Sequence, residues 1–203
     1  MGLQKFIQSI ANGKGIAKSN LYSVYFNGSV IQSFSGIYGG LTSKISEASG
    51  GSRVGERILL LCDEATLPGE QSNTGNVIRY AGASPRYYPT NPIYTDLQLS
   101  FICDAEMQAL KFLIDWRKKI YAPTEVDGEV SNRLNYPSEY QADIFIEKNE
   151  RDQTSDVGIT SLKYQLFNAW PYAVDSIPLS YGSSQLVKVT ANFYYTHWRT
   201  TTK

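Results

Sequence analysis

Few side chains in this sequence are of the types that carry out catalysis or bind transition metals. The only histidine is His197, and the two cysteines, Cys62 and Cys103, lie far apart along the chain. A serine nucleophile would have to use His197 as its base, and no Gly-x-Ser-x-Gly segment presents such a serine. Zinc ligands follow one another at short spacings, unlike these three residues. We therefore expect neither a catalytic triad nor a zinc site, and we predict that both cysteines are buried free thiols.

Acidic residues offer the remaining route to chemistry. Two carboxylates can act together as general acid and base, and Asp96, Asp104 and Glu106 are candidates for such a pair. Structural positions at a sheet edge and at a helix start explain these three residues better than a catalytic role does. A second set of acidic residues has a spacing that matches no known calcium-binding loop. These residues are Asp143, Glu147, Glu150 and Asp152. We predict no catalytic residue, no cofactor and no metal site, so the chain is expected not to be an enzyme.

The composition is that of a globular domain without a strong net charge. The 203 residues suffice for one domain with a substantial core, and 42% of them are hydrophobic. Lysine plus arginine and aspartate plus glutamate number 19 each, so no net field recruits nucleic acid or an anionic membrane. No apolar run approaches the ~18 residues that span a bilayer, and Met1–Phe6 lacks a signal-peptide core. We expect a protein that stays in a cytoplasm-like compartment, with no membrane partner.

Strands make up most of the elements that must position these residues. Apolar and polar side chains alternate around Tyr140–Lys148, Leu162–Trp170 and Val187–Tyr195. A strand with one buried and one wetted face requires that alternation. Leu21–Phe26 and Ile93–Cys103 are predicted as further strands. Long amphipathic strands that follow closely in sequence favour an antiparallel sheet or barrel.

Two helices are predicted beside these strands. The longer helix covers residues 105–121, follows Asp104 as its N-cap and has basic residues in its last turn, which matches the helix dipole. Its broad apolar stripe comprises Leu110, Leu113, Ile114, Trp116 and Ile120. The shorter helix, Leu3–Ala11, belongs to an N-terminal helical arm over residues 1–18. So short a helix is marginal alone, so its apolar face must dock on something.

The segment from Gly28 to Glu56 is rich in glycine and serine and is predicted to be a long inserted loop. Connections longer than ~12–15 residues are uncommon and are usually functional or disordered. The segment is therefore either a flexible surface loop or an assembly loop that orders against a neighbouring molecule. A second, polar loop is predicted over Ala122–Ser138.

These predictions combine into a mainly β fold with one packed α-helix, in the α+β class. We expect a single domain over residues 1–203, built as an antiparallel β-barrel or sandwich with a short N-terminal helix and the long inserted loop. Trp170 and Trp198 lie in strongly patterned strands and are expected to be buried anchors.

The order of the landmarks along the chain resembles that in the tail-tube family of contractile-tailed bacteriophages. The likeness covers most of the chain apart from Gly28–Glu56, and its order and spacing are more specific than any single motif. The segments that carry it, after the N-terminal helix, are Asn20-Leu21-Tyr22-Ser23-Val24, Ala65-Thr66-Leu67-Pro68-Gly69, Phe112-Leu113-Ile114-Asp115-Trp116, Ala169-Trp170-Pro171-Tyr172-Ala173-Val174 and Phe193-Tyr194-Tyr195-Thr196-His197-Trp198.

The resemblance implies a structural virion protein rather than an enzyme. Six copies are expected to close into a ring, and the rings to stack head to tail into a channel for DNA ejection. The implied partners are further rings, the baseplate hub or tube-initiator proteins, the tail sheath, and DNA that passes without sequence-specific binding. The implied location is the virion tail, assembled in the cytoplasm of the host bacterium.

The resemblance also suggests roles for particular side chains. Apolar residues of the arm and the inserted loop are expected at subunit interfaces: Phe6, Ile7, Ile37, Tyr38 and Leu41. Polar residues on the wetted faces of the long strands are expected to line the channel: Lys163, Gln165, Lys188, Thr190 and Asn192.

Three alternatives stay open within and beyond this interpretation. The inserted loop and the Pro- and Tyr-rich segment Tyr80–Tyr94 depart from the main tube pattern, so the chain is either the main tube subunit or the baseplate-proximal tube initiator. Tubes of secretion systems and tailocins share this architecture and are a second alternative. A carboxylate-based hydrolase on a β scaffold is the third.

Overall fold

The computed structural model describes residues 2–12, 17–34, 61–77, 86–126, 129–151, 158–182 and 185–201. Its helices are α1 (Leu3–Asn12), α2 (Ser29–Ser33), α3 (Gln108–Ile120) and α4 (Pro137–Tyr140). Its strands are β1 (Tyr22–Asn27), β2 (Cys62–Ala65), β3 (Glu70–Val77), β4 (Arg86–Tyr94), β5 (Leu97–Ile102), β6 (Tyr121–Val126), β7 (Glu129–Leu134), β8 (Ala142–Arg151), β9 (Gly158–Val174), β10 (Lys188–Tyr194) and β11 (His197–Thr201).

Antiparallel strands form one continuous path in the order β1-β8-β9-β10-β5-β2, and β11 also pairs with β9. The first half of β9 lies between β8 and β11, and its second half pairs with β10. We call the strands around the first half of β9, namely β1, β8 and β11, the first sheet. The strands around its second half, β10, β5 and β2, form the second sheet. Hairpins β3–β4 and β6–β7 pair separately.

Strand β9 changes from one sheet to the other near Asn168. The φ angle of Asn168 is 56°, in the left-handed region that asparagine tolerates better than most residues. Its backbone N–H donates to Oδ1 of Asp143 on β8 at 3.2 Å. A bend of this kind lets one strand serve both layers of a sandwich. Pro171 lies within this strand opposite Phe193, where the pairing register with β10 shifts and a missing N–H donor is tolerated.

The inward faces of both sheets share one hydrophobic core, as the alternation of β10 predicts. Val189, Ala191 and Phe193 are fully buried. Phe26 on β1 joins the two layers, because its ring centroid lies 6.1 Å from that of Phe193 and 5.5 Å from that of Trp116 on α3. Since both sheets turn their apolar faces to this core, their polar faces point to different sides of the molecule.

Helix α3 packs into the same core and begins later than the predicted span of 105–121. Met107 precedes it with a φ of 55°, which is left-handed, so the helical turns start at Gln108. Asp104 still stabilises the helix start, because its Oδ1 accepts the backbone N–H of Gln108 at 2.8 Å. Trp116 is the fully buried tryptophan, and its Nε1 donates to the carbonyl oxygen of Tyr140 at 2.6 Å.

Trp170 and Trp198 are half-buried rather than buried anchors. Trp170 lies opposite Tyr194, which is exposed, and therefore belongs to the outward side of its strand pair. Trp198 lies on β11, which pairs with β9 along one side and forms an edge within the described strands. The free cysteines Cys62 and Cys103 are also half-buried, and burial raises the pKa of the Cys62 thiol to about 12.

Part of the predicted assembly loop is built into the core. Residues 29–33 form α2, and Val30, Ile31 and Phe34 are buried. The apolar residues of that short helix explain the difference, because they cover the end of the core. Ile37, Tyr38 and Leu41 lie outside the described residues.

Two other predicted segments differ from the structure, one in its element type and one in its extent. The polar loop predicted over Ala122–Ser138 is mainly the β6–β7 hairpin and the start of α4. A two-stranded hairpin has no inward sheet neighbour, so its sequence need not alternate; Pro137 is also compatible with a helix start. Ile93–Cys103 is divided between β4 and β5, and Ile93 is 50% exposed instead of facing the core.

Candidate functional site

A polar and aromatic surface covers the outward side of the first sheet. We call it the Lys163 face, and it comprises Tyr25, Phe145, Glu147, Lys163 and Gln165. The antiparallel register places Tyr25 opposite Phe145, Phe145 opposite Gln165, and Glu147 opposite Lys163. Directly paired residues present their side chains on the same side of a sheet. The alternating partners Ile144, Ile146 and Leu166 are fully buried, which fixes these five residues on the outward side of the sheet, where Tyr25 is 9% exposed.

Lys163 is held by several contacts on this face. Its Nζ lies 3.0 Å from Oε1 of Glu147, and the Tyr25 hydroxyl donates to the same oxygen at 2.8 Å. The rings of Tyr25 and Phe145 stack at 4.8 Å between centroids, and Nζ is 5.0 Å from each centroid. Such cation–π contacts add to the ion pair. The charge of Lys163 is therefore balanced within the chain.

The pKa values on the Lys163 face reflect this network. Burial tends to lower the pKa of Lys163, yet contacts with the Tyr25 hydroxyl and the Glu147 carboxylate outweigh it, and the pKa is raised. Burial is also the main cause that raises the pKa of Tyr25, and its hydrogen bond to Glu147 acts in the same direction. Tyr25 therefore stays a neutral donor and Lys163 a cation near neutral pH.

A second polar surface covers the outward side of the second sheet. We call it the Thr190 face, and it comprises Asp63, Ser100, Lys188, Thr190 and Asn192. Lys188 Nζ lies 2.5 Å from Oδ2 of Asp63. The hydroxyls of Ser100 and Thr190, which are register partners, lie 3.0 Å apart. Along β10, Lys188, Thr190 and Asn192 alternate with buried apolar residues, whereas Ser100 on β5 is 7% exposed.

The five predicted channel residues therefore fall into two groups. Lys163 and Gln165 make their contacts with β1 and β8, whereas Lys188 and Thr190 contact β2 and β5. Along β10 the burial alternates as predicted. The structure places the two groups on the outward faces of two different sheets, joined through β9.

The acidic candidates for chemistry that the structure describes have structural contacts, and Asp152 lies outside the described residues. Asp96 accepts the Tyr172 hydroxyl at 2.6 Å, a contact that raises the pKa of Tyr172 to about 12. Asp104 stabilises the start of α3, and Gln108 donates to Glu106. Asp143 accepts from Gln165 at 3.2 Å. Within the described ranges no group of three or more histidine, cysteine and acidic residues is placed to hold a metal ion.

His197 also packs against a neighbour. Its imidazole stacks on the ring of Phe167, with 4.5 Å between centroids and 12° between planes. Arg199 lies over the other ring of this pair, with its guanidinium carbon 5.8 Å from the Phe167 centroid. This part of β9 and β11 is therefore an aromatic and cationic stack on the outward side of the first sheet.

Helix α1 carries exposed apolar side chains, as expected for a docking arm. Leu3, Phe6 and Ile7 are 73%, 59% and 55% exposed, at i, i+3 and i+4 on one helical side. Phe6 and Ile7 are thus available for contact with another molecule. The described helices include none with the length and apolar character that crossing a bilayer requires.

The sequence did not reveal an apolar groove of about 650 Å³ beside α3. The opposite wall is the segment 174–179 that follows β9, and α3 contributes Leu110 and Ile114. Ile114 is 41% exposed, and Nε of Arg117 is buried without a hydrogen-bond partner among the described residues. The broad apolar stripe of α3 was the signal for this groove in the sequence. A helix that packs on one surface only leaves part of so broad a stripe uncovered.

Comparison with known proteins identifies relatives of this fold. A model of the phage tail tube protein family matches residues 17–201, and no curated protein matches the chain. A chain of the extended sheath–tube complex of PVC, an extracellular contractile injection system, is 10% identical, with 93% of each chain covered and a TM-score of 0.56. A chain from the tube-terminating cap of the anti-feeding prophage is 11% identical, with coverage of 93% of this chain and 92% of that one and a TM-score of 0.55.

A chain from the anti-feeding prophage baseplate is similar to the same degree. It is 13% identical, covers 93% of this chain and 97% of its own length, and has a TM-score of 0.52. At such identities the likeness shows the fold alone. The predicted fold class, mainly antiparallel β with a few helices, is confirmed.

Proposed function

Because the chain belongs to the phage tail tube protein family, we propose that six copies of it close into a ring and that such rings stack into the tube of a contractile tail. The family match over residues 17–201 carries this proposal, since it includes both sheets and α3. The tube would be the channel for DNA ejection, and the protein would lie in the virion tail. Baseplate and sheath proteins would be its other partners.

The balanced charges of the two polar faces support a role in a DNA channel. A lysine binds a DNA phosphate by releasing counterions, and such contacts would slow a moving duplex. Lys163 and Lys188 are each paired with a carboxylate of the same chain, at 3.0 Å and 2.5 Å. Because the two faces point to different sides of the molecule, one of them would form the channel wall. Either Lys163 with Gln165, or Lys188 with Thr190 and Asn192, would offer water-like hydrogen bonding there with little attraction for phosphate.

The exposed arm supports assembly into larger particles. Phe6 and Ile7 would bury their apolar surface against a neighbouring subunit, which is favourable by about 25 cal/mol per Å². Ile37, Tyr38 and Leu41, in the inserted segment, would add interface contacts of the same kind. Closed rings would also cover β1 and β2, which stand at the two ends of the described strand path, because exposed strand edges promote aggregation.

Electron microscopy of the purified protein tests the proposal and separates its two versions. Negatively stained long tubes would identify the main tube subunit, which can direct its own stacking. Isolated six-fold rings, or monomers that form rings only with a baseplate protein, would identify the tube initiator. A protein that stays monomeric at high concentration, with and without such a partner, would contradict the proposal.

A second candidate is a tube subunit of a tailocin or secretion system. The fold shared with chains of PVC and of the anti-feeding prophage favours it, because PVC is an extracellular contractile injection system. The genes beside the coding sequence distinguish the two candidates. Capsid and terminase genes in the same cluster would indicate a phage, and a complete tail cluster without them would indicate an injection particle.

A further inference from the structure

Two apolar surfaces of this chain lack a cover within the described residues. The first is the side of α1 that carries Leu3, Phe6 and Ile7, each more than half exposed. The second is the groove between α3 and residues 174–179. A ten-residue helix gains too little from its own hydrogen bonds to persist alone in water. Helix α1 therefore requires an apolar surface to pack on.

The groove has the size and chemistry that an amphipathic helix needs. Its volume of about 650 Å³ accommodates several large side chains. The apolar contributions come from Leu110, Ile114, Val174, Ile177 and Leu179. Helix-in-groove recognition uses apolar anchors at i, i+3 and i+4, which is the spacing of Leu3, Phe6 and Ile7.

Charge complementarity adds a second argument. Helix α1 has no basic residue in its last turn, so no cation within the helix balances the negative end of its dipole. Arg117 lines the groove with a buried Nε that has no hydrogen-bond partner among the described residues. Lys118, also at the groove, already pairs with Asp115 at 2.9 Å. Arg117 is therefore the donor that an incoming helix terminus would satisfy.

We propose that this groove receives helix α1 of a second copy of the chain. The helix and the groove are different surfaces, so their contact is heterologous, and repetition of it produces a closed ring or a filament. This inference rests on the proposed tube function and names the contact between its subunits. Helix α1 precedes residues 17–201, so it lies outside the segment that the family model matches.

The contact area indicates how the arm works within an assembly. One large aromatic side chain buries about 150–250 Å², whereas a stable pair of proteins buries about 1,200 Å² or more. Three arm residues therefore do not hold two copies together alone. They secure subunits that already meet through other surfaces, so the contact is measurable in the assembled particle rather than in a dimer.

Cysteine crosslinking between differently tagged copies tests the proposal. One full-length copy carries Ile7→Cys and the other carries Ile114→Cys, and the mixture is assembled and treated with a short bismaleimide. We expect a covalent heterodimer in about tenfold greater yield than with Lys5→Cys, which lies on the opposite side of α1, because docking raises the effective concentration of the two thiols. The unsubstituted chain, with Cys62 and Cys103, measures the background.

The remaining outcomes separate this inference from the proposed function. Rings or tubes in the micrographs without the heterodimer would overturn the arm–groove contact and leave the tube function intact. A crosslink within single copies that carry both substitutions, with no heterodimer in the mixture, would show that α1 occupies its own groove and would also overturn the inference. Unsubstituted protein that forms no rings under any condition would overturn the tube function itself.

Discussion

The Lys163 face differs from the arm–groove pair, by which we mean helix α1 and the groove beside α3. The difference is how far the side chains of each region are satisfied within one chain. On the Lys163 face, a cation, a carboxylate and a phenol satisfy one another within one chain, at 3.0 Å and 2.8 Å. On the arm, Leu3 and Phe6 are mostly exposed, and in the groove Arg117 Nε lacks a partner among the described residues. A surface with internally balanced charges gains little from another molecule, whereas exposed apolar area gains from burial. The first therefore suits a wall and the second an interface.

The largest expected effect comes from removing the core that supports both regions. Trp116→Ala is expected to lower the free energy of unfolding by about 3–5 kcal/mol, because it removes a fully buried ring and the hydrogen bond from Nε1 to Tyr140. Thermal unfolding of the unassembled chain would show a decrease in Tm of about 10 °C. Trp198→Ala is the matched control, and its half-buried ring predicts a smaller loss. Equal losses would mean that α3 is not the centre of the core.

One physical reason explains why the sequence predicted part of this core correctly and other features incorrectly. The alternation of Val189, Ala191 and Phe193 is a local property, and it correctly predicted which side of β10 is buried. Which tryptophan is the anchor depends on packing between α3 and both sheets. That packing is absent from any single segment, so the sequence pattern favoured Trp170 and Trp198.

The same distinction holds for the candidate surfaces. The sequence indicated that Lys163 faces water, but not that Tyr25, far away in the chain, closes a network around it through β8. The groove combines α3 with the segment after β9, so no local pattern describes it. The hairpin β6–β7 was missed because polar strands without an inward neighbour do not alternate.

The next largest effect is expected at the proposed subunit interface, on the apolar side of helix α1. Phe6→Glu is expected to raise the concentration needed for ring assembly by tenfold or more, an increase of about 1.4 kcal/mol per contact, because a charge would replace buried apolar area. Sedimentation of assembled against free protein measures it. The Tm of the unassembled chain should not change, since Phe6 is 59% exposed.

Lys5→Glu is the matched control for this change. It introduces the same side chain one residue away, on the side of α1 that lacks the apolar residues. Assembly that is weakened equally by both substitutions would indicate a general charge effect and would remove the interface role of the apolar side.

A smaller effect is expected on the Lys163 face, which we interpret as a channel wall. Glu147→Gln keeps an oxygen that accepts the Tyr25 hydroxyl but removes the negative charge that neutralises Lys163. The free energy of unfolding should decrease by about 1–2 kcal/mol, because a partly buried cation loses its partner. Assembled particles should bind short duplex DNA about tenfold more tightly at low salt, with a steeper salt dependence.

Glu139→Gln provides the matched control for net charge. Glu139 lies exposed on α4, away from the Lys163 face. DNA binding that increases equally in both variants would show that total charge, rather than release of Lys163, controls the affinity, and the wall interpretation would then be wrong.

The last prediction concerns alkaline titration. It is expected to change stability least near neutral pH and to distinguish the two regions most clearly. The pKa values of Tyr25 and Lys163 are both raised in the folded state, so the protonated forms are stabilised there. Above about pH 10 the unfolded chain releases these protons first, and the stability that the network contributes decreases as pH rises through the folded pKa values. Tyr195, Tyr172 and Cys62, whose pKa values are each raised to about 12, act in the same direction, and the Cys62 thiol does so from about pH 9 because the ordinary pKa of a thiol is lower. Chemical denaturation should therefore show constant stability between about pH 7 and 8 and a decline from about pH 9 to 12, whereas Glu147→Gln should show a shallower decline. The arm–groove contact depends mainly on apolar area, which does not titrate. Loss of assembly in parallel with that decline, before the fold itself is lost, would mean that the polar faces also take part in the subunit contacts.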